Sequence, residues 1–466
     1  MNLDLYKNIY LVGIGGIGMS ALARYFKAKG KIVSGYDKVK SDLCIELENE
    51  DIEIFYKDEL SSIGEKFINS KYNETLVVYT PAIPVNNKVL LFFRKKGFQI
   101  LKRAEVLGMI SKQSFTIAVA GTHGKTTTST MLAHILQHSG KETTAFLGGI
   151  SHNYNTNLLM TDKGNIIIVE ADEYDRSFLQ IHADIAIITS VAPDHLDIYE
   201  NETDLKMAFK QFASQVKEKG LLLIENSIDI DFPAPDLGVK LTYSAKMRAD
   251  YFAEKIKYQY GRMLFDMVAL DVMPGMAYEK REKNIELHMP GVHNVSNAVA
   301  ASAAACYLGL SCYEVSDGLA TFKGINRRFD KHIDTEKLVY IDDYAHHPEE
   351  VSATIDATKQ LYPSRQLIVV FQPHLFSRTK DFANDFASSL KQADDLVILD
   401  IYAAREKPIA GVNSQMLLDL CSNSKKEICS KNELLSVLEN KHIDVLLTIG
   451  AGDIGTLVQP IKHMLN

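Results

Sequence analysis

The 466-residue sequence has no tryptophan and little cysteine. Its five cysteines are Cys44, Cys306, Cys312, Cys421 and Cys429, and no two of them form a CxxC pair. An odd number of scattered cysteines does not fit the disulfide framework of a small secreted domain. We therefore expect free thiols in a reducing cytosol.

The chain also lacks a basic excess and a long apolar segment. Lys and Arg total 51 against 59 Asp and Glu, a net charge of −8. Nucleic-acid-binding proteins usually carry a basic surface, so we expect no nucleic-acid partner, although a local basic pocket for a phosphorylated small molecule stays possible. The first apolar run starts at Ile9 without a basic segment before it, contains four glycines and reaches Arg24 too soon to span a bilayer. We expect a cytoplasmic protein without signal peptide or membrane anchor.

A glycine-rich motif, Gly13-Ile-Gly15-Gly16-Ile-Gly18, lies between a predicted strand and a predicted helix, and Asp37 ends the next predicted strand. Glycines at these positions let the backbone approach a diphosphate at the N-terminus of the helix. The motif predicts a dinucleotide site, with NAD as the first candidate, or a site for another nucleoside diphosphate. A tight turn without a ligand would show the same pattern.

A second glycine-rich motif is Gly121-Thr122-His123-Gly124-Lys125-Thr126-Thr127. It follows an apolar strand and opens a predicted helix, which is the context of a phosphate-binding loop. Backbone N–H groups would hold the phosphates, Lys125 would reach the β and γ oxygens, and Thr126 would hold Mg²⁺. Val119 stands where the usual motif has its first glycine, so this loop is a shortened variant.

Polar residues follow further predicted strands. Glu170 comes directly after the apolar segment 166–169, and His195 lies beyond the segment 185–189. Because Mg²⁺ prefers oxygen ligands that it shares with substrate phosphates, Glu170 is a candidate ligand. On the pattern alone, Glu170 could equally be a surface acid, and the pattern favours His195 as a core or capping histidine over a ligand.

Two motifs in the last third of the chain contain His346 with His347, and His374 with Arg378. Adjacent histidines can bind zinc, but neither an HExxH motif nor matching cysteines accompany them. A guanidinium can grip a carboxylate at two points, although a solvated loop would explain the second motif as well.

Alternating strands and helices predict an α/β fold, and the length predicts about three domains. We predict a Rossmann-like domain over residues 1–112, a central domain over residues 113–326 with a P-loop ATPase-type parallel sheet, and a second Rossmann-like domain over residues 327–466. Period-two alternation within 248–290 predicts a small antiparallel region beside the central sheet.

In their order along the chain, these motifs resemble the Mur ligase family of peptidoglycan synthesis. The resemblance covers the whole chain and is carried by GIGGIGMSALA, GTHGKTT, EADEYDRSFL, DHLD, HNVSNA, NRRFD, DDYAHHPEEV, FQPHLFSRT and IGAGDI. GTHGKTT together with DDYAHHP and FQPHLFSRT is similar to the alanine-adding branch. The alternative is the branch that returns a recycled tripeptide to UDP-N-acetylmuramate, which shares the early motifs.

The resemblance implies an ATP-dependent, amide-forming ligase. Its substrates would be UDP-N-acetylmuramate, L-alanine and ATP, and its products UDP-N-acetylmuramoyl-L-alanine, ADP and phosphate. The lactyl carboxylate would become an acyl phosphate, which closed domains would protect from water. Two rivals are an NAD-dependent dehydrogenase, which leaves the Gly-Lys-Thr loop unexplained, and a regulator that binds ATP without chemistry. The oligomeric state is open.

The resemblance also implies roles for residues at matching positions. Lys125 would stabilise charge on the transferred phosphoryl group, Thr126 and Glu170 would bind one Mg²⁺, and His195 would bind a second. Asn294 and Asn297 would contact adenine and neighbouring groups, and Arg328 and Asp343 would make the contacts to the γ-phosphate and the ribose.

For the other substrates, the resemblance implies that the first glycine motif holds UDP instead of NAD, with Asp37 facing the uridine ribose. The residues expected around alanine and the acyl centre are His346, His347, His374 and Arg378. By the same resemblance, domain 1–112 would bind the UDP substrate, domain 113–326 would bind ATP, and domain 327–466 would bind the amino acid and close the site. Lys206 and Lys210 follow DHLD, where sister ligases carry a carbamylated lysine. The alanine-adding branch is expected to lack that group.

Overall fold

The structure is a computed structural model. It describes residues 2–161, 164–192, 199, 201–259, 261–270, 279–404 and 406–466, without the side chain of residue 62. The chain forms two compact units. The first comprises Met1–Lys255, Phe265–Ile285 and Ser296–Phe322, and the second comprises Ile256–Leu264, Glu286–Val295 and Lys323–Asn466.

The N-terminal part of the first unit is built on a parallel sheet in the order β3-β2-β1-β4-β5. Its strands are β1 (Asn8–Val12), β2 (Ile32–Tyr36), β3 (Glu53–Phe55), β4 (Thr75–Tyr79) and β5 (Gln99–Lys102). Its helices are α1 (Ile17–Ala28), α2 (Asp42–Asn49), α3 (Gly64–Ile68), α4 (Lys88–Lys95) and α5 (Arg103–Lys112). The strand order reverses beside β1. The carboxyl end of β1 therefore lies at a switch point, where sheets of this kind bind nucleotides.

The next sheet has ten strands in the order β15-β14-β13-β12-β11-β10-β6-β9-β7-β8. They are β6 (Phe115–Ala120), β7 (Thr143–Ser151), β8 (Thr156–Leu159), β9 (Ile166–Ala171), β10 (Ile185–Ile188), β11 (Leu221–Glu225), β12 (Val239–Ser244), β13 (Tyr251–Gln259), β14 (Arg262–Ala269) and β15 (Lys280–Leu287). The accompanying helices are α6 (Lys125–His138), α7 (Glu202–Ser214), α8 (Val292–Tyr307) and α9 (Cys312–Ala320).

The strands around β6 are parallel, whereas β7 and β8 form an antiparallel hairpin. The neighbouring strands β13 and β14 are separated by two residues, a connection that only antiparallel strands allow. The small antiparallel region predicted within 248–290 is therefore present.

The sheet of the second unit has the order β16-β17-β21-β18-β19-β20, with β16 antiparallel and the other pairings parallel. Its strands are β16 (Asp330–Asp334), β17 (Val339–Asp343), β18 (Leu367–Phe371), β19 (Asp395–Leu399), β20 (Lys426–Cys429) and β21 (Val445–Ile449). Its helices are α10 (Pro348–Leu361), α11 (Phe376–Asp381), α12 (Ala383–Leu390), α13 (Ser414–Leu420), α14 (Leu434–Glu439) and α15 (Val458–Leu465).

Both faces of this last sheet are buried. Val369 and Phe371 of β18 pack into one apolar cluster, while Ile368 and Val370 pack into another. Because successive strand residues point to opposite faces, helices must cover the sheet on both sides, as in doubly wound folds.

The predicted three-domain α/β fold class is confirmed. Along the sequence, the first and last sheets are Rossmann-like, and the second is a parallel sheet with added antiparallel strands. The domain boundaries near 112 and 326 stay predictions. All five cysteines are free thiols. Among the helices described, none combines the length and the apolar character that a membrane crossing requires.

Candidate active site

The second glycine motif joins β6 to α6, as the sequence predicted. Both of its glycines have positive φ, +141° at Gly121 and +82° at Gly124. A Cβ atom would lie 2.1 Å from Thr189 Oγ1 at the first position and 2.6 Å from Asn297 Oδ1 at the second. Both the backbone conformation and the available space therefore require glycine.

Side chains that follow β10 hold this loop in place. Ser190 Oγ accepts a hydrogen bond from the His123 backbone N at 2.7 Å and lies 2.9 Å from Thr122 Oγ1. Thr189 Oγ1 donates to the His123 carbonyl at 2.5 Å. The sequence analysis missed Thr189 and Ser190. Their position just after a strand that pairs with β6 is the signal that could have indicated them.

Thr126 and Glu170 meet at the carboxyl edge of the parallel pair β6–β9. Thr126 Oγ1 donates to Glu170 Oε2 at 2.8 Å. A Cβ atom on Gly148 of β7 would lie 1.9 Å from that Glu170 oxygen and 2.8 Å from Thr126 Oγ1. The glycine thus leaves free the space beside two hard oxygen donors, and such a donor set fits Mg²⁺. The other predicted metal ligand, His195, lies outside the described residues.

Lys125 is the first residue of α6 and is largely buried. Its Nζ donates to Gly121 O and to Glu173 Oε2, each at 2.6 Å. Burial opposes the ammonium charge, but the carboxylates of Glu173, Asp172 and Glu170 outweigh this effect and raise the pKa of Lys125 above its usual value. Lys125 is therefore a fixed cation in the phosphate loop.

The acidic segment Glu170–Asp175, which begins in β9, also reaches the first sheet. Asp175 pairs with Lys102 at 2.9 Å, and Asp172 lies 3.7 Å from Arg103. A Cβ atom on Gly18 would be 2.2 Å from Arg103 Nη1, so this guanidinium lies against the first glycine motif. Neither Arg103 nor Glu173 was predicted. Glu173 belongs to a motif that the sequence displays, whereas nothing in the sequence marks Arg103.

The first glycine motif joins β1 to α1, also as predicted. Gly13 has φ +87°, and Asp37 Oδ2 accepts a hydrogen bond from the Gly15 backbone N at 2.8 Å. Gly16 precedes α1 without a side-chain capping bond, so the first amides of the helix stay available for an anion. Asp37 therefore stabilises the loop itself, and its predicted contact with a ribose stays a prediction.

The two asparagines predicted to contact adenine lie on α8. In the first unit, Asn297 Oδ1 accepts a hydrogen bond from Thr128 Oγ1 at 3.2 Å, which places Asn297 beside the phosphate-loop helix. In the second unit, Asn294 Nδ2 donates to Pro290 O at 2.7 Å.

In the second unit, Asp343 ends β17 and is buried. Its carboxylate accepts hydrogen bonds from Phe329 N at 2.6 Å and Ala345 N at 2.7 Å. Burial raises the pKa of Asp343 to about 6, against the opposing effects of Arg328 and of these hydrogen bonds. Asp343 thus ties together the loops that carry Arg328 and the first histidine motif.

Arg328 is held in a constrained turn. Its neighbours Arg327 and Phe329 have φ of +61° and +48°, a conformation that costs energy for residues other than glycine. The Arg328 guanidinium carbon lies 5.1 Å from the centroid of the Tyr344 ring. The turn therefore presents this cation on a rigid support.

Three of the four residues predicted for the amino acid lie together. The His346 and His374 ring centroids are 5.9 Å apart, and Arg378 Nη1 lies 3.4 Å from His374 Nδ1. His374 also stacks on Tyr402, a residue missed by the sequence analysis, with centroids 5.7 Å apart. His347 instead lies at the N-terminus of α10, where its ring contacts that of Phe382.

Family models match most of the chain. The Mur ligase family catalytic domain matches residues 8–115, the Mur ligase middle domain residues 119–305, and the Mur ligase glutamate ligase domain residues 327–452. The chain therefore belongs to the Mur ligase family. Members of this family use ATP and Mg²⁺.

Curated relatives named UDP-N-acetylmuramate–L-alanine ligase match this chain over nearly all of their length, as two examples show. The protein from Christiangramia forsetii is 44% identical over 100% of this chain and 99% of its own. The protein from Parabacteroides distasonis is 47% identical over 100% of this chain and 98% of its own.

Solved structures show the same likeness. The UDP-N-acetylmuramate-alanine ligase of Thermotoga maritima superimposes with a TM-score of 0.80 at 28% identity, covering 98% of this chain and 99% of that one. The murein peptide ligase of Psychrobacter arcticus has a TM-score of 0.71 at 20% identity, covering 98% of each chain, and this likeness concerns the fold alone.

Proposed function

We propose that this protein is an ATP-dependent ligase that joins L-alanine to the lactyl carboxylate of UDP-N-acetylmuramate in peptidoglycan synthesis. The observation that carries the proposal is the phosphate loop, in which the cation of Lys125 lies beside the Thr126–Glu170 oxygen pair. Relatives named alanine ligases at 44% and 47% identity support the choice of substrates.

In this proposal, the amides of the glycine loop and Lys125 bind the ATP phosphates. Thr126 and Glu170 hold Mg²⁺, which when bound neutralises charge on phosphate oxygens. A lactyl carboxylate oxygen attacks the γ-phosphorus, the bond to ADP breaks, and Lys125 stabilises the charge that develops. The amine of alanine then attacks the acyl carbon of this acyl phosphate, releases phosphate and loses a proton.

We further propose a second Mg²⁺ at His195, on the family resemblance alone. On the same resemblance, we propose that ATP is contacted by Asn294, Asn297, Arg328 and Asp343. We also propose that the first glycine motif binds UDP.

For the amino acid, we propose that Arg378 binds the carboxylate and that His374 orients the ammonium group. Their proximity to each other and to His346 supports this assignment. Arg378 is only 6% exposed, and a buried guanidinium holds a carboxylate strongly because both groups are shielded from water. Such a grip fixes the amine near the acyl centre.

The test is phosphate release with UDP-N-acetylmuramate, ATP and each amino acid in turn, with each component omitted as a control. We expect efficient turnover with L-alanine, weaker turnover with glycine and L-serine, and negligible turnover with an L-Ala-D-Glu-containing tripeptide. Efficient use of the tripeptide with poor use of alanine would identify the recycling activity instead. Phosphate release independent of any UDP-sugar would contradict the ligase class.

A further inference from the structure

Two carboxylates of the acidic segment serve different residues of the phosphate loop. Glu170 accepts the hydrogen bond of Thr126 Oγ1 at 2.8 Å, whereas Glu173 pairs with Lys125 Nζ at 2.6 Å. The family resemblance gives Glu170 a role as a metal ligand and gives Glu173 none. Yet Glu173 is the more deeply buried of the two, with its side chain 1% exposed. A carboxylate at this depth needs a close cation, and Lys125 supplies it.

The backbone of Glu173 is held firmly. Its carbonyl oxygen accepts hydrogen bonds from Tyr199 Oη at 2.7 Å and from the Arg176 backbone N at 3.0 Å. The following residues Asp175 and Arg176 have φ of +53° and +54°, and the Arg176 side chain is anchored by Asp204 at 2.5 Å. Such constrained turns persist only where the surrounding contacts determine them. The backbone position from which the Glu173 side chain extends to Lys125 is therefore set by this turn.

The Glu173 carboxylate, which extends from this fixed backbone, restricts Lys125. An ammonium group has three N–H donors, and two of them are used by Gly121 O and Glu173 Oε2 at 2.6 Å each. The lysine side chain is otherwise flexible, and two anchors of this kind leave its ammonium group one donor direction for a phosphate oxygen. Preorganised charge lowers the barrier because no reorganisation is needed when charge develops in the transition state.

We infer that Glu173 is the positioning residue that aims Lys125 at the transferred phosphoryl group. The inference rests on the proposed ATP-dependent ligase function. It predicts that loss of Glu173 lowers kcat much more than it changes ATP binding, because the aim of Lys125 matters most in the transition state.

The test compares three variants with the wild type in the phosphate-release assay. Glu173→Gln keeps the shape and one acceptor but removes the charge, and we expect kcat at least tenfold lower with the KM for ATP within threefold of the wild type. Glu173→Asp restores the charge on a shorter side chain and should recover part of kcat. Asp175→Asn is the matched control, since it removes a carboxylate of the same segment and asparagine tolerates the positive φ. Its kcat should stay within twofold.

A double-mutant cycle distinguishes positioning from a structural role. In a Lys125→Arg background, measured with radiolabelled ATP, adding Glu173→Gln should cause less than a twofold further loss, because the residue it positions has already been replaced. Multiplicative losses, an unchanged kcat in Glu173→Gln, or a change in the KM for ATP alone would each overturn the inference. Wild-type turnover with UDP-N-acetylmuramate and L-alanine is measured first, and its absence overturns the proposed function itself.

Discussion

The substitution Gly148→Ala tests the proposed Mg²⁺ ligands Thr126 and Glu170 without replacing either of them. Gly148 lies in β7 with an ordinary φ, so alanine suits its backbone. The new Cβ would lie 1.9 Å from Glu170 Oε2, whereas real Cβ atoms stay 3.0 Å or more from other atoms. The carboxylate oxygen must therefore move by roughly 1 Å or more, which breaks its 2.8 Å hydrogen bond with Thr126. Because the oxygen ends a flexible side chain, the fold should tolerate this shift.

A misplacement of about 1 Å at a reacting centre can cost about 100-fold in rate. We therefore expect kcat to fall about 100-fold. The Mg²⁺ concentration for half-maximal rate should rise roughly tenfold, as when residues that orient metal ligands are mutated. The assay is phosphate release titrated with Mg²⁺, with Glu170→Gln as the comparison and thermal unfolding as the control for folding. A wild-type Mg²⁺ titration in a folded Gly148→Ala protein would refute a metal role for this pair.

The remaining predictions concern charge. Lys125→Ala should leave below a tenth of wild-type turnover because the phosphate's cation is lost, and it should lower the thermal midpoint because the buried Glu173 carboxylate loses its close cation. Arg378→Ala should raise the KM for alanine far more than that for ATP; equal rises would refute a carboxylate contact. Burial lowers the pKa of His134 to about 4, so its neutral form contributes stability that is complete above its unfolded pKa of 6.5 and is lost as pH falls toward 4. Between pH 7 and pH 5, the free energy of unfolding measured with urea should fall by about 2 kcal/mol more in the wild type than in His134→Gln.

The two nucleotide loops could be predicted from the sequence because their signals are local. The strand Phe115–Ala120 precedes the second glycine motif and the helix Lys125–His138 begins within it, in the predicted order. An apolar run, a glycine turn and a helical segment follow one another there within about two dozen residues, so no distant contact is needed to form the loop.

The surroundings of the loops could not be predicted because they come from distant parts of the chain. Gly148 matters only because β7 pairs with β9, which carries Glu170. Ser190 contacts His123 only because β10 pairs with β6. Arg103 lies against Gly18 although many residues separate them, and no periodicity records such a contact. Proximity of this kind depends on strand order, which single-sequence patterns do not specify.

The acidic segment shows how the structure resolves an ambiguity that the sequence leaves. Four carboxylates lie within six residues, and only Glu170, which directly follows the apolar strand, was predicted to bind Mg²⁺. In the structure each has a different partner: Glu170 with Thr126, Asp172 with Arg103, Glu173 with Lys125, and Asp175 with Lys102.

This distribution has a physical cause. Carboxylates gathered at one strand end repel one another, and burying such charges is tolerated only when cations lie close by. The positive φ values at Asp175 and Arg176 turn the chain sharply. The turn lets the carboxylates face two sources of cations, the start of α6 and the β5–α5 junction. Charge compensation thus links the phosphate loop to the junction that carries Arg103, and leaves Glu170, paired with a neutral hydroxyl, as the carboxylate best placed to take a metal ion.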